Sequence, residues 1–162
     1  MRFNVSHLVK APIGTQGVVH LDVETVTLGN DLDLQHLQGE INLTRSTDCL
    51  LAEGQLDATL DSECVRCLAS FPLSLTIQLD DLTFTLPHIS SQDNQYRISK
   101  DGWIHAGLAL REQIMLNTPL RPLCRPDCRG LCSSCGQDLN DGTCDCQEQE
   151  VDPRLAALRN LL

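Results

Sequence analysis

The 162-residue sequence predicts an α+β fold: an antiparallel β-meander sheet with one or two helices and a cysteine-rich C-terminal segment. Three observations lead there. Four stretches alternate apolar and polar residues, the pattern of a sheet with one wet face. The polar tracts between the later three are short, so hairpin connections are the simplest topology. Behind them come a segment with helical apolar spacing and then six cysteines within 23 residues, Cys124 to Cys146.

The elements follow in chain order. VVHLDVE puts Val19, Leu21 and Val23 on one face, and EINLTRS sets Ile41 and Leu43 against Glu40, Asn42 and Thr44. GQLDATLDSEC opposes Leu56, Ala58 and Leu60 to Gln55, Asp57, Thr59 and Asp61. FPLSLTIQLDDL opposes Phe71, Leu73, Leu75, Ile77 and Leu79 to Ser74, Thr76, Gln78 and Asp80. Pro87 to Gly102 is polar and aperiodic, which predicts a loop or hinge. WIHAGLALREQIMLNTPL carries Ile104, Leu108, Ile114, Met115 and Leu116 at helical spacing and predicts a helix that stops around Pro119. DPRLAALRNLL offers Asp152 as N-cap, Pro153 at the first helical position and a stripe of Leu155, Leu158 and Leu162. It predicts a C-terminal helix whose stripe docks on the chain's own sheet, with gripping a partner as the less favoured use. The expected organisation is a β-rich domain with its following helix over residues 1–118, a zinc-binding cysteine-rich segment packed on it over 119–150, and the C-terminal helix over 151–162.

Composition narrows the function classes. A chain of this length buries roughly 70% of its unfolded surface, so it needs no disulfides to replace a missing core. The N-terminal MRFNVSHLVKAPIGTQG has no apolar secretory stretch, and no run is long enough for a membrane helix, so a cytoplasmic protein with reduced thiols is expected. Nine cysteines, an odd number, also argue against a disulfide framework. A formal charge of −10 speaks against non-specific attraction to nucleic-acid phosphates. The five aromatic residues are scattered and form no base-stacking pattern.

The cysteines then sort by spacing. ECVRC, with Cys64 and Cys67, lies between two alternating strands, where a tight turn aims both thiolates at one point as a zinc knuckle does. CSSCG makes a second knuckle from Cys132 and Cys135, and Cys144 and Cys146 return to it past QDLNDGT, a compact arrangement resembling a zinc ribbon. Cys124 and Cys128 lack local partners and complement Cys64 and Cys67. Eight cysteines therefore predict two four-sulfur sites and two zinc ions, one site local and one stitching the hairpin to the C-terminal segment. An iron–sulfur cluster is the competing all-cysteine reading. A thioredoxin-like use of ECVRC is disfavoured because that motif wants a helix N-terminus. Cys49 is left over and reads as a small packing residue.

All-sulfur sites have no open coordination position, and His7, His20, His36, His88 and His105 are dispersed, so the sequence predicts no enzyme and no small-molecule substrate. Two zinc–tetrathiolate centres at −2 each would take the formal charge from −10 to −14. Arg66, Arg121, Arg125 and Arg129 sit where they could offset that charge or meet a partner's phosphate, and charge compensation is the preferred role. From Asp138 to Asp152 there are six acids and no Lys or Arg, an acidic counterpart to that basic patch.

The string CVRCL after an alternating strand, a helix with REQ, then PLCRPDCRGLCSSCGQDLN, CDC and DPRLAALRNLL resembles the YceD family of bacterial and plastid proteins, described as large ribosomal RNA subunit accumulation proteins. The resemblance runs from about Glu40 to Leu162. It implies a role in accumulating large-subunit ribosomal RNA, with ribosomal RNA or a ribosome-assembly protein as partner, and it implies no catalytic mechanism. The family's most widespread feature matches Cys64 and Cys67. Positions matching Cys124 and Cys128 tend to carry a metal-capable residue, and Cys132, Cys135, Cys144 and Cys146 match its longer form. Two other functions fit the residues: a thiol or metal-handling protein such as a zinc donor, and a zinc-stapled protein-interaction adaptor.

Overall fold

The computed structural model describes residues 1–29, 31–89 and 96–146. Its centre is an antiparallel sheet built from β2 (Gln16–Val23), β3 (Val26–Leu28), β4 (Leu32–Arg45), β5 (Cys49–Glu63) and β6 (Ser70–Thr85). The spatial order is β2-β4-β5-β6, with β3 also pairing β4. β3, β4, β5 and β6 pair in chain order as the expected meander does, while β2 skips β3 and pairs β4 directly, further along the strand that β3 also pairs. A short ribbon of β1 (Arg2–Asn4) and β7 (Trp103–His105), with helices α1 (Ser6–Val9) and α2 (Gly107–Asn117), completes the described elements. No helix among the described residues is long and apolar enough to cross a membrane.

Alternation builds the sheet and divides its faces. Leu21, Ile41, Leu43, Leu56, Ala58, Leu60, Ile77 and Leu79 are all buried, while the intervening side chains meet solvent. On the wet face, cross-strand polar pairs form: Thr76 donates to Asp57 (2.7 Å) and Gln78 to Gln55 (2.9 Å). Leu110 and Ile114 of α2 join the core cluster from the other side, together with Phe3 and Ile104 of the small ribbon.

The strands are longer than the alternation predicts, and β-bulges are the reason. Between Leu34 and His36 the β4/β5 register shifts, so Leu34 and Leu37, three apart in sequence, both point inward. The β5/β6 register shifts between Ala52 and Gly54, opposite Asp81 with φ +57°, and there Leu79 and Leu82 are both buried. Each bulge inserts one residue and breaks a period-two reading, so it hides the first half of β4 and the end of β6. A close backbone crossing marks the middle of the sheet. A Cβ at Gly39 (φ +140°) would lie 2.2 Å from the Gln55 carbonyl oxygen, and one at Gly54 would lie 2.1 Å from that of Glu40. Only glycine fits either place.

One expectation is corrected. Trp103–His105 pairs with the N-terminal strand instead of starting a helix; α2 begins at Gly107, after Ala106, and buries Ala109, Leu110 and Ile114 while Leu108, Met115 and Leu116 stay exposed. Apolar residues cover most of this helix, so spacing alone does not choose the docked face. The helix does end where predicted: Thr118 is extended, as a residue before proline prefers, and its hydroxyl donates to the Ile114 carbonyl at 2.8 Å. Residues 87–89 and 96–102 form no helix and no strand, as expected of a loop, but they are pinned to the sheet. Arg97 bridges to Thr85 and Ile98 to Ile104, Ile98 is buried, and the Tyr96 ring lies 6.0 Å from that of Phe84. Isolated apolar residues held by irregular bridges carry no periodicity, so this order was invisible in the sequence. The C-terminal helix expected over 151–162 lies outside the described residues.

Candidate metal centres

The hairpin joining β5 to β6 carries the first cluster. Cys64 donates its N–H to the Ala69 carbonyl (3.0 Å) and its own carbonyl accepts from Leu68 N–H (2.9 Å), which curls residues 64–69 into a tight knuckle. The turn requires a left-handed residue, and Leu68 supplies it with φ +59°. The chain leaving α2 returns to this tip. Val65 N–H donates to the Pro122 carbonyl (3.0 Å), Leu131 N–H to the Arg66 carbonyl (3.0 Å), and Arg66 Nη1 to the Cys128 carbonyl (2.8 Å). These bonds bring Cys124 and Cys128 over the hairpin.

The result is a convergence of four sulfurs. Cys64 Sγ lies 3.8 Å from Cys128 Sγ and Cys67 Sγ lies 3.6 Å from Cys124 Sγ. All four sulfurs lie within 4.8 Å of one another. A disulfide needs about 2.05 Å, and all nine cysteines are free. Four ligands about 2.3 Å from one tetrahedral ion have edges of about 3.8 Å, so the group could hold a metal ion. Cys64, Cys67 and Cys128 are buried, and Phe71, Leu123 and Leu131 pack around them.

The second cluster uses the same local device. Cys132 N–H donates to the Gln137 carbonyl (2.8 Å), and Gly136 N–H donates to the Cys132 carbonyl (2.9 Å), with Gly136 at φ +75°. Cys132, Cys135, Cys144 and Cys146 bring their sulfurs within 4.8 Å of one another, and this group too could hold an ion. It is more open: Cys135 and Cys146 are exposed. Cys49 stands at the far end of β5, paired with Thr85, and joins neither group.

The electrostatics repeat in the two clusters. Burial opposes ionisation of Cys64, but the backbone N–H groups of Cys124, Cys67 and Arg66 more than offset it and its thiol falls to about 6. Cys124 is pushed up to about 12 by burial and by the Cys67, Cys128 and Cys64 sulfurs beside it. The Ala69 N–H favours a Cys67 thiolate, yet burial and the sulfurs of Cys64 and Cys128 leave that thiol raised. In the second group the N–H donors of Cys135 and Ser134, aided by the Cys144 thiol, bring Cys132 to about 6, while the Cys135 thiol and burial drive Cys146 to about 12. In each group the first cysteine of the knuckle ionises readily, while burial and hydrogen bonding among the neighbouring thiols hold another protonated.

The four arginines fall into different settings. Arg66 is tied to the Cys128 carbonyl, and Arg125 lies 3.7 Å from Asp127. Arg121 lines a shallow groove with Val65, Arg66 and Leu123, and Arg129 is exposed while its backbone N–H donates to Asn140 Oδ1 at 2.9 Å. Two features here escape a reading of the sequence. Asn140, in the second group's loop, donates to Cys128 Sγ of the first at 3.4 Å. Val65 and Leu68 are exposed aliphatics of the first knuckle, and Leu120, on the segment leading to it, is 98% accessible. An unremarkable asparagine and three ordinary aliphatics give no signal in one dimension.

Comparison with known proteins supplies the family. Residues 52–162 match the family described as Large ribosomal RNA subunit accumulation protein YceD. An uncharacterized protein of Mycobacterium leprae is 33% identical over 58% of this chain and 44% of its own length. One from Mycobacterium tuberculosis is 28% identical over 89% of this chain and 68% of its own. A chloroplastic protein of Arabidopsis thaliana, Large ribosomal RNA subunit accumulation protein YCED homolog 1, is 23% identical over 77% of this chain and 48% of its own. The chain thus spans about half the length of the M. leprae and Arabidopsis relatives. No solved structure matches it. With the motif cysteines inside the matched span, the chain belongs to the YceD family, whose described role is the accumulation of large-subunit ribosomal RNA.

Proposed function

We propose that the chain is a non-enzymatic, zinc-binding factor of the cytoplasm that promotes accumulation of large-subunit ribosomal RNA. The observation that supports the zinc reading is the sulfur spacing of the first cluster: 3.6 and 3.8 Å match two edges of the tetrahedron that four thiolates would form around one ion. Four sulfurs within 4.8 Å of one another suit a single ion, which supports zinc over a multi-iron cluster. Soft thiolate donors favour zinc over hard cations. Four such ligands saturate the ion and leave no position for water or substrate, which supports a structural role over a hydrolytic one. The ribosomal half of the reading rests on the family.

The first knuckle is the proposed contact surface. Val65 exposes its side chain in the groove lined by Arg121, Leu68 of the same knuckle and Leu120 are exposed aliphatics as well, and Arg129 adds a second exposed cation. Such a patch suits a large-subunit assembly intermediate, met either through RNA phosphate or through an assembly protein. Because Arg66 and Arg125 have partners within the chain, Arg121→Glu with Arg129→Glu is the informative substitution. It is expected to release the protein from large-subunit precursors in sedimentation while leaving its metal content intact.

The direct test of the zinc reading is elemental analysis of the purified chain and of Cys64→Ser and Cys132→Ser variants. About two zinc ions are expected, one per cluster, with one lost in each variant. No metal, or loss in Cys132→Ser alone, overturns it. The ribosomal reading is tested in cells depleted of the protein: a fall in the ratio of large- to small-subunit ribosomal RNA, restored by the wild-type chain, is expected. A metal-handling role such as zinc donation is the second reading, favoured by the exposure of Cys135 and Cys146. It predicts rapid transfer of the second ion to an apo acceptor, where the structural reading predicts slow exchange.

A further inference from the structure

Three residues, Arg129, Gly130 and Leu131, separate the last cysteine of the first cluster from the first cysteine of the second. Each is bonded on one side or the other. Arg129 N–H donates to Asn140 Oδ1 (2.9 Å), the Gly130 carbonyl accepts from Leu139 N–H (2.9 Å), and Leu131 N–H donates to the Arg66 carbonyl (3.0 Å). Gly130 lies so close to the first knuckle that a Cβ there would stand 2.9 Å from the Arg66 carbonyl oxygen. The linker is therefore a splint between the hairpin and the loop of the second cluster.

Asn140 completes it. Its Nδ2 donates to Cys128 Sγ at 3.4 Å and to Asp138 Oδ1 at 2.7 Å. Its amide orientation is unambiguous, because Oδ1 faces a backbone donor whereas the sulfur and carboxylate opposite are acceptors. Yet Asn140 belongs to the loop closed by the second cluster, between Cys135 and Cys144. A side chain placed by one site therefore serves a ligand atom of the other. A hydrogen bond to a ligating atom fixes its direction and affects the affinity of its metal.

We propose that Asn140 is a positioning residue that makes the two four-cysteine sites a cooperative pair: an ion in the second site orders the loop, Asn140 then holds the Cys128 thiolate, and the first site tightens. Linkage requires the reverse as well, so an ion in the first site favours filling of the second by the same factor. The inference rests on the reading that both clusters bind metal.

Cobalt(II) titration against a competing chelator tests both, because thiolate-to-cobalt charge-transfer bands count the filled sites. Two ions are expected for the wild-type chain. First-site affinity is expected to fall about tenfold in Cys132→Ser/Cys135→Ser and about tenfold in Asn140→Ala. Adding Asn140→Ala to the double-serine chain should change it by less than about twofold, since the loop is already released. Asn140→Asp keeps the oxygen that accepts from Arg129 but sets a carboxylate against the Cys128 sulfur and Asp138, and should lower first-site affinity at least as much as Asn140→Ala; it also substitutes for that variant should alanine fail to fold. Fewer than two ions in the wild-type chain sinks the two-site reading and the coupling with it. Two ions with first-site affinity indifferent to Asn140, or equally sensitive in both backgrounds, sinks the coupling alone.

Discussion

Leu68 and Gly136 occupy the same place in two turns with the same hydrogen-bond pattern. Each follows the first cysteine of its knuckle by four residues, donates its N–H to that cysteine's carbonyl at 2.9 Å, and adopts a left-handed backbone, φ +59° and +75°. Glycine does this freely; leucine does it against its Cβ. The first knuckle therefore keeps a strained, exposed aliphatic where its counterpart has the relaxed residue.

Replacing Leu68 by glycine should relieve about 1–2 kcal/mol of left-handed strain against about 0.5–1 kcal/mol of added chain entropy. A net gain of about 0.5 kcal/mol is expected, read as a higher denaturant midpoint of the metal-loaded protein. If Leu68 contacts the ribosomal partner, the same variant loses binding as it gains stability. A destabilised Leu68→Gly protein would show instead that the leucine is kept for packing.

Chelator should strip the two sites in sequence. Cys64, Cys67 and Cys128 are buried under Phe71, Leu123 and Leu131, whereas Cys135 and Cys146 face solvent. The second ion should leave first, with β-sheet signals retained in circular dichroism. The first should leave slowly, and the hairpin tip should then lose amide protection as residues 119–131 detach. Structural zinc contributes on the order of 10 kcal/mol per site, so a single kinetic phase covering both ions is the contrary result.

Metal affinity should climb with pH. Without metal, Cys64 and Cys132 ionise near 6, but Cys67 is raised and Cys124 and Cys146 stand at about 12. Binding at neutral pH must therefore expel protons from Cys67 and Cys124 in the first site and from Cys146 in the second. Protons compete with the ion, so affinity falls as pH falls. Between pH 7 and 8 the slope should be at least about a hundredfold per pH unit at the first site and at least about tenfold at the second. Calorimetry in two buffers of different protonation enthalpy counts the released protons directly; none released at the first site contradicts the arrangement.

The sheet has its own point of sensitivity. Gly39→Ala puts a methyl 2.2 Å from the Gln55 carbonyl oxygen on a backbone at φ +140°. Loss of about 2–3 kcal/mol is expected from clash and strain together. Gly14→Ala is the control. It also has positive φ, +87°, but open space around it, so it carries strain without clash and should cost less than Gly39→Ala in thermal melts.

Much of this was legible in one dimension. Ile41 and Leu43, Leu56 to Leu60, and Ile77 and Leu79 alternate because a one-faced sheet demands it, and the structure buries them. The pairing of Cys124 and Cys128 with Cys64 and Cys67 followed from counting which cysteines lacked a neighbour, and the four sulfurs do converge. Where an element broke its own period, the reading failed. The bulges beside Gln35 and at Asp81 hid half of β4 and the end of β6, and Trp103–His105 passed for helix because three residues are too few to show a period.

What the sequence determined by itself is whatever rests on local repetition: strand character, the two knuckle turns, the helix stop before Pro119, and the division of eight cysteines into pairs. Tertiary structure alone decided the face of α2 that docks, the meeting of Gly39 with the backbone of β5, and the reach of Asn140 from one cluster's loop to the other's sulfur. Spacing along a chain encodes how neighbours in sequence turn, since those angles are set residue by residue. Contacts between distant segments depend on the summed geometry of everything between them, and no single residue's identity carries that sum.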